Sequence, residues 1–67
     1  MLTKSTARYF AKQAYQLRLM TGREQQTAQS KEGPLEIRHH PGAIAVIHGV
    51  TGECVEFRPI PKSWANL

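Results

Sequence analysis

The chain has 67 residues and a formal net charge of +4, which allows one small domain at most and leaves no room for a cofactor domain, a substrate domain or a deep enzyme cleft. Its five leucines, four isoleucines, three valines and two phenylalanines lie just above the share of roughly 20% below which chains tend to stay disordered, so a small core is expected. A single cysteine excludes an internal disulfide framework and fits a reducing, cytoplasmic setting.

The charge divides unevenly along the chain. Residues 1–23 hold Lys4, Arg8, Lys12, Arg18 and Arg23 with no acid, a formal +5, whereas residues 24–67 set four cations against five glutamates, a formal −1. The early cations interrupt every apolar window near the start, so no secretory signal is read. Thr3 or Ser5 can cap a helix over about residues 4–21, a stretch free of Gly, Pro and Asn, and Gly22 supplies its C-cap. Ala7, Phe10, Ala11, Ala14, Leu17 and Thr21 recur at intervals of three and four, which puts them on one stripe facing the core. A second stripe carries Lys4, Arg8, Lys12 and Arg23 with Tyr15 and Leu19 between them.

Residues 22–34 contain one apolar side chain, Ala28, and read as a mobile connector. From Leu35 the period changes from 3.6 to 2. Leu35–Arg38, Ile44–His48 and Val55–Arg58 alternate apolar and polar residues, the pattern of half-buried strands, giving a sheet over residues 35–59. Thr51-Gly52 is expected as a two-residue hairpin turn, pairing His48 with Val55 and Val46 with Phe57. His39-His40-Pro41-Gly42 is expected as a four-residue loop, pairing Ile37 with Ile44 and Leu35 with Val46. Both registers put Leu35, Ile37, Ile44, Val46, Val55 and Phe57 on one inner face, with His48 beside them. The expected fold is therefore α+β: one N-terminal helix on a three-stranded antiparallel sheet, an αβββ meander in two layers. Pro59 and Pro61 end the last strand, and residues 60–67 form a tail whose Trp64 folds back on the sheet edge.

No metal site, cofactor or small-molecule substrate is expected. His39 and His40 are neighbours on a strand end, Cys54 lies far along the sheet from them, and no zinc-type spacing is present. Glu36 and Glu56 are expected in cross-strand ion pairs with Arg38 and Arg58 rather than as paired catalytic carboxylates. No stretch is long and apolar enough to cross a bilayer. The reading is of a non-catalytic protein.

Two surfaces stand out. Cations in series destabilise an isolated helix where they repel at i and i+4, and an aromatic among them is what a nucleic-acid face uses. Lys4, Arg8, Lys12, Tyr15 and Arg23 are thus expected to dock an anionic partner, nucleic acid or an acidic protein surface. The alternative is the outer sheet face, with Ala45 and Ile47 at its centre and Arg38 and Arg58 on its rim. That face would make a homodimer or block a larger host enzyme or complex, as an inhibitor or accessory protein of the phage or mobile-element type does, an association drawn from size alone.

Overall fold

The computed structural model describes residues 1–65, so the last two positions of the expected tail, Asn66 and Leu67, lie outside the described residues. Helix α1 spans Lys4–Thr21. Thr3 caps it, its hydroxyl accepting from the Thr6 N–H at 3.3 Å. Gly22 closes it at φ 78°, a left-handed conformation glycine adopts without a steric penalty, and its N–H donates to the Arg18 carbonyl at 2.7 Å. The first turn of α1 contains no acidic residue. Glu32 supplies that charge from a distant turn, its carboxylate accepting from the Thr3 N–H at 3.0 Å, where the helix dipole favours an anion. Glu53 holds the preceding residue in the same manner, accepting from the Leu2 N–H at 3.3 Å.

The fold is α+β, one helix packed on an antiparallel sheet, but the sheet has four strands in the order β1-β2-β3-β4. These are β1 (Gln25–Ser30), β2 (Gly33–His40), β3 (Ala43–His48) and β4 (Cys54–Phe57), followed by the 3-10 turn η1 (Lys62–Ala65). The additional strand, β1, lies inside the segment expected to be a mobile connector. It pairs along its whole length with β2, from Gln25 opposite Arg38 to Ser30 opposite Gly33. Its inward positions are Gln26, Ala28 and Ser30, half-buried but mostly polar, so hydropathy does not mark them. Hydrogen bonds hold them instead: the Gln26 amide donates to the Ala14 carbonyl at 3.0 Å, and the Ser30 hydroxyl donates to the Gly33 carbonyl at 2.8 Å.

Both expected hairpin registers are corrected by two residues. The β2–β3 connection is the two-residue turn Pro41-Gly42, with His40 opposite Ala43 and Ile37 opposite Val46. Proline at the first position and glycine at φ 72° at the second match a type II turn, which favours proline at its first central position. The β3–β4 connection is longer than expected. Val46 pairs with Val55 and Ile44 with Phe57, and the His48 N–H donates to the Glu53 carbonyl at 2.7 Å, leaving Gly49–Gly52 as the loop. A shift of two keeps parity, so every side chain stays on its expected face.

The core therefore contains the expected inner face. Leu35, Ile37, Ile44, Val46 and Phe57 are buried together with Ala7, Ala11 and Ala14 of the helix, while Phe10 and Val55 are partly buried against them. Leu17 and Thr21, expected on the core stripe, are exposed, because the helix meets the sheet through its alanines and leans toward β3 and η1. Trp64 is buried and folds back on the sheet at its edge strand β4. Its ring lies 5.6 Å from that of Phe57, and its carbonyl accepts from the Gln16 amide at 3.3 Å. The tail thereby closes the end of the helix–sheet interface, and burying one aromatic of this size is worth on the order of 2–3 kcal/mol.

Candidate functional site

The structure places the predicted helix residues in three different surroundings. Lys4, Arg8 and Lys12, one turn apart, are exposed along the same flank of α1, and at 1.5 Å per residue they span about 12 Å. Among the described residues none of the three has a carboxylate within ion-pair distance, whereas Arg18, Arg38 and Arg58 each lie beside a glutamate. Arg8 has a second role: its guanidinium lies over the Trp64 ring, 5.6 Å from the centroid. Stacking on a buried ring holds the charge at a fixed place on the surface and is worth about 0.5–1 kcal/mol.

Tyr15 is half-buried, packed against the core, and is not a free ring between the lysines. It lines a cleft of about 640 Å³ at the C-terminal end of α1, with Arg18, Glu24, His39, His40 and Ile60. Arg23 lies beyond the C-cap and turns the other way, toward the groove between α1 and β1. The sequence stripe therefore yields one continuous set of three cations, with Tyr15 and Arg23 on separate surfaces. Arg18 and His39 line the same cleft as Tyr15, and neither was chosen from sequence. The Arg18–Glu24 pair is long, at 4.0 Å.

His39 has its titration shifted below the ordinary histidine range. Burial disfavours the charged ring first, the Arg18 charge acts in the same direction, Glu24 opposes it and His40 adds to the lowering. Its Nε2 lies 3.4 Å from the Gln26 amide nitrogen. That amide also donates to the Ala14 and Arg23 carbonyls, and the other ring nitrogen of His39, Nδ1, is buried without a hydrogen-bond partner among the described residues.

His48, expected on the inner face, is buried there and is structural. One ring nitrogen lies 2.8 Å from the Thr51 hydroxyl and the other meets the Glu32 carbonyl. It ties the β1–β2 turn to the β3–β4 loop, the two segments whose glutamates hold the start of the helix.

On the outer sheet face, the expected ion pairs form between residues two apart in the chain, within β2 for Glu36 and Arg38 and at the end of β4 for Glu56 and Arg58, and not across strands. Arg38 Nε donates to Glu36 Oε1 at 2.7 Å, and Arg58 Nε lies 3.5 Å from Glu56 Oε1. Across the ladder Arg38 faces Ala45, and Ala45 faces Glu56. Ala45 retains only 6% of its exposure between them. Ile47 is half-buried, and the exposed Cys54 sits opposite it. The apolar centre of this face thus reduces to Ile47 with the Cys54 thiol.

Among the described residues, no helix is long and apolar enough to cross a membrane, and no three His, Cys, Asp or Glu side chains gather where an ion could be held. No protein-family model, curated protein or solved structure matches the chain.

Proposed function

We propose that this is a small non-catalytic binding protein that docks nucleic acid along the Lys4, Arg8 and Lys12 flank of α1. One observation carries the reading: these three cations are exposed in a row without carboxylate partners among the described residues, while the sheet arginines lie beside glutamates two positions earlier. Phosphates are held by such fixed cations through counterion release, and affinity then depends on salt more than on base sequence.

The test is a salt series with a fluorescent oligonucleotide, single-stranded and duplex. Three phosphate contacts give a log–log slope of about −2 to −3, similar for unrelated sequences. Absence of binding at low salt, or binding that does not respond to salt, contradicts the proposal.

A further inference from the structure

The four-stranded sheet has two edges, and they are treated differently. On the β4 side the strand is four residues long and Pro59 and Pro61 follow it, and prolines have no N–H to offer a further strand. β1 is six residues long and regular, without a proline or a charged side chain inside it. The Glu24 carbonyl accepts from the His39 N–H at 3.3 Å, which makes that pair a hydrogen-bonded one. By the antiparallel alternation, Gln26, Ala28 and Ser30 direct their backbone groups to β2, and Gln25, Thr27 and Gln29 direct theirs outward. An unprotected edge of this kind is a template for another strand.

Beside this edge runs a groove. Because α1 leans toward β3 and η1, three adjoining hollows of about 380, 200 and 380 Å³ lie between the helix and β1. Their apolar floor and wall are Phe10, Leu17, Ala28 and Ile37, and Tyr9, 58% exposed, stands edge-on to Phe10 at 5.2 Å. Arg23 lies at one end of the groove, in a hollow also lined by Glu36, whose carboxylate is already paired with Arg38, and Lys31 lies at the other end.

We propose that the β1 edge and this groove form a docking site for an extended segment of another protein, apolar at alternate residues and acidic at each end, which adds to the sheet as a fifth strand. Backbone pairing supplies the affinity, and the groove and its cationic ends supply the selectivity. A second copy of this chain fits worse. Two-fold pairing of β1 centred on Thr27 sets Arg23 opposite Lys31 of the other copy, and centring on Ala28 sets Glu24 opposite Glu32, so both full-overlap registers bring like charges together.

The experiment pans a displayed library of random dodecapeptides on the full chain, then titrates the most enriched peptide while following backbone amides by NMR. Enriched sequences are expected to alternate apolar residues between acidic ends, and binding to slow exchange of the Gln25, Thr27 and Gln29 amides. Thr27→Pro removes one outward N–H and none of the β2 ladder, so the protein stays folded and its affinity falls about tenfold or more. N-methylating alternate amides of the peptide gives the same loss with the protein untouched. The proposal is overturned if no peptide is enriched, or if peptides bind Thr27→Pro as well as the parent. It is equally overturned if the three amides are protected by self-association at rising concentration, or by an oligonucleotide in place of a peptide.

Discussion

The helix flank and the outer sheet face both expose cations, yet only one of them keeps its charge. On the sheet, Arg38 and Arg58 each follow a glutamate at i+2, the spacing that returns side chains to the same face of an extended chain, and each pairs with that glutamate, Arg38 inside β2 and Arg58 just past the end of β4. On the helix, Lys4, Arg8 and Lys12 recur at i+4, where a glutamate would have formed pairs of the same kind, and no glutamate is there. The contrast teaches that a net charge of +4 is a poor guide to where a polyanion would sit, since paired surface charges largely cancel in the field felt a few ångströms away. The field is concentrated where one sign recurs without the other.

The largest change to this comparison comes from below the surface. Trp64→Ala removes the ring that closes the core against Phe57 and underlies Arg8, and should cost about 3–5 kcal/mol in chemical denaturation; a variant as stable as the parent would show that η1 is not part of the core.

A second, smaller effect separates two members of the helix flank. Arg8→Ala should lower stability by about 0.5–1 kcal/mol through its lost stacking, while Lys12→Ala leaves the denaturation midpoint in place. Equal effects on stability would mean that the Trp64 contact holds Arg8 no more firmly than solvent does.

The pH dependence sharpens the comparison at the cleft. The folded protein holds His39 below the ordinary value of 6.5, so the unfolded chain binds more protons in that range and stability rises with pH. The stability contributed by the neutral ring is complete above about pH 7 and is lost as pH falls through the ordinary value toward the lowered one. Glu36 and Glu53 are also held below their ordinary range, Glu36 chiefly by its bond to Arg38 and Glu53 chiefly by the Thr51 hydroxyl. Their contributions are lost in a separate, more acidic window. Denaturation midpoints should therefore fall from about pH 7 to about pH 5, and His39→Gln should flatten that limb alone; a parent whose stability climbs toward pH 5 would reverse the sign. Smallest of all, Arg58→Ala should change stability by less than about 0.5 kcal/mol, since its pair with Glu56 is exposed.

Much of this architecture was legible because it rests on periodicity and caps. Thr3, Gly22 and the alanine stripe define α1, and the alternation from Leu35 onward assigns Leu35, Ile37, Ile44, Val46, His48, Val55 and Phe57 to the inner face, though not His39. What escaped was set by turn chemistry and by polar packing. The reading gave the long loop to His39–Gly42 and the short one to Thr51-Gly52, and the structure interchanges them. Two shifts of two residues leave parity, and hence the core, intact. β1 escaped because its inward face is Gln26, Ala28 and Ser30, held by hydrogen bonds that hydropathy does not register. At the candidate site, the placement of Lys4, Arg8 and Lys12 along one exposed flank of α1 follows from helical spacing alone. Tyr15 was assigned to the same stripe, but the tail and the β2–β3 turn form a cleft around it, a contact between segments far apart in sequence.

The central claim is that the helix flank, and not the outer sheet face, meets the partner. Lys12→Glu and Ile47→Glu, titrated side by side with the same oligonucleotide over a salt series, test it most directly. The account predicts that Lys12→Glu weakens binding to all sequences alike and flattens the salt slope by about one unit, while Ile47→Glu binds as the parent does. Loss of binding by Ile47→Glu with Lys12→Glu unaffected would contradict it.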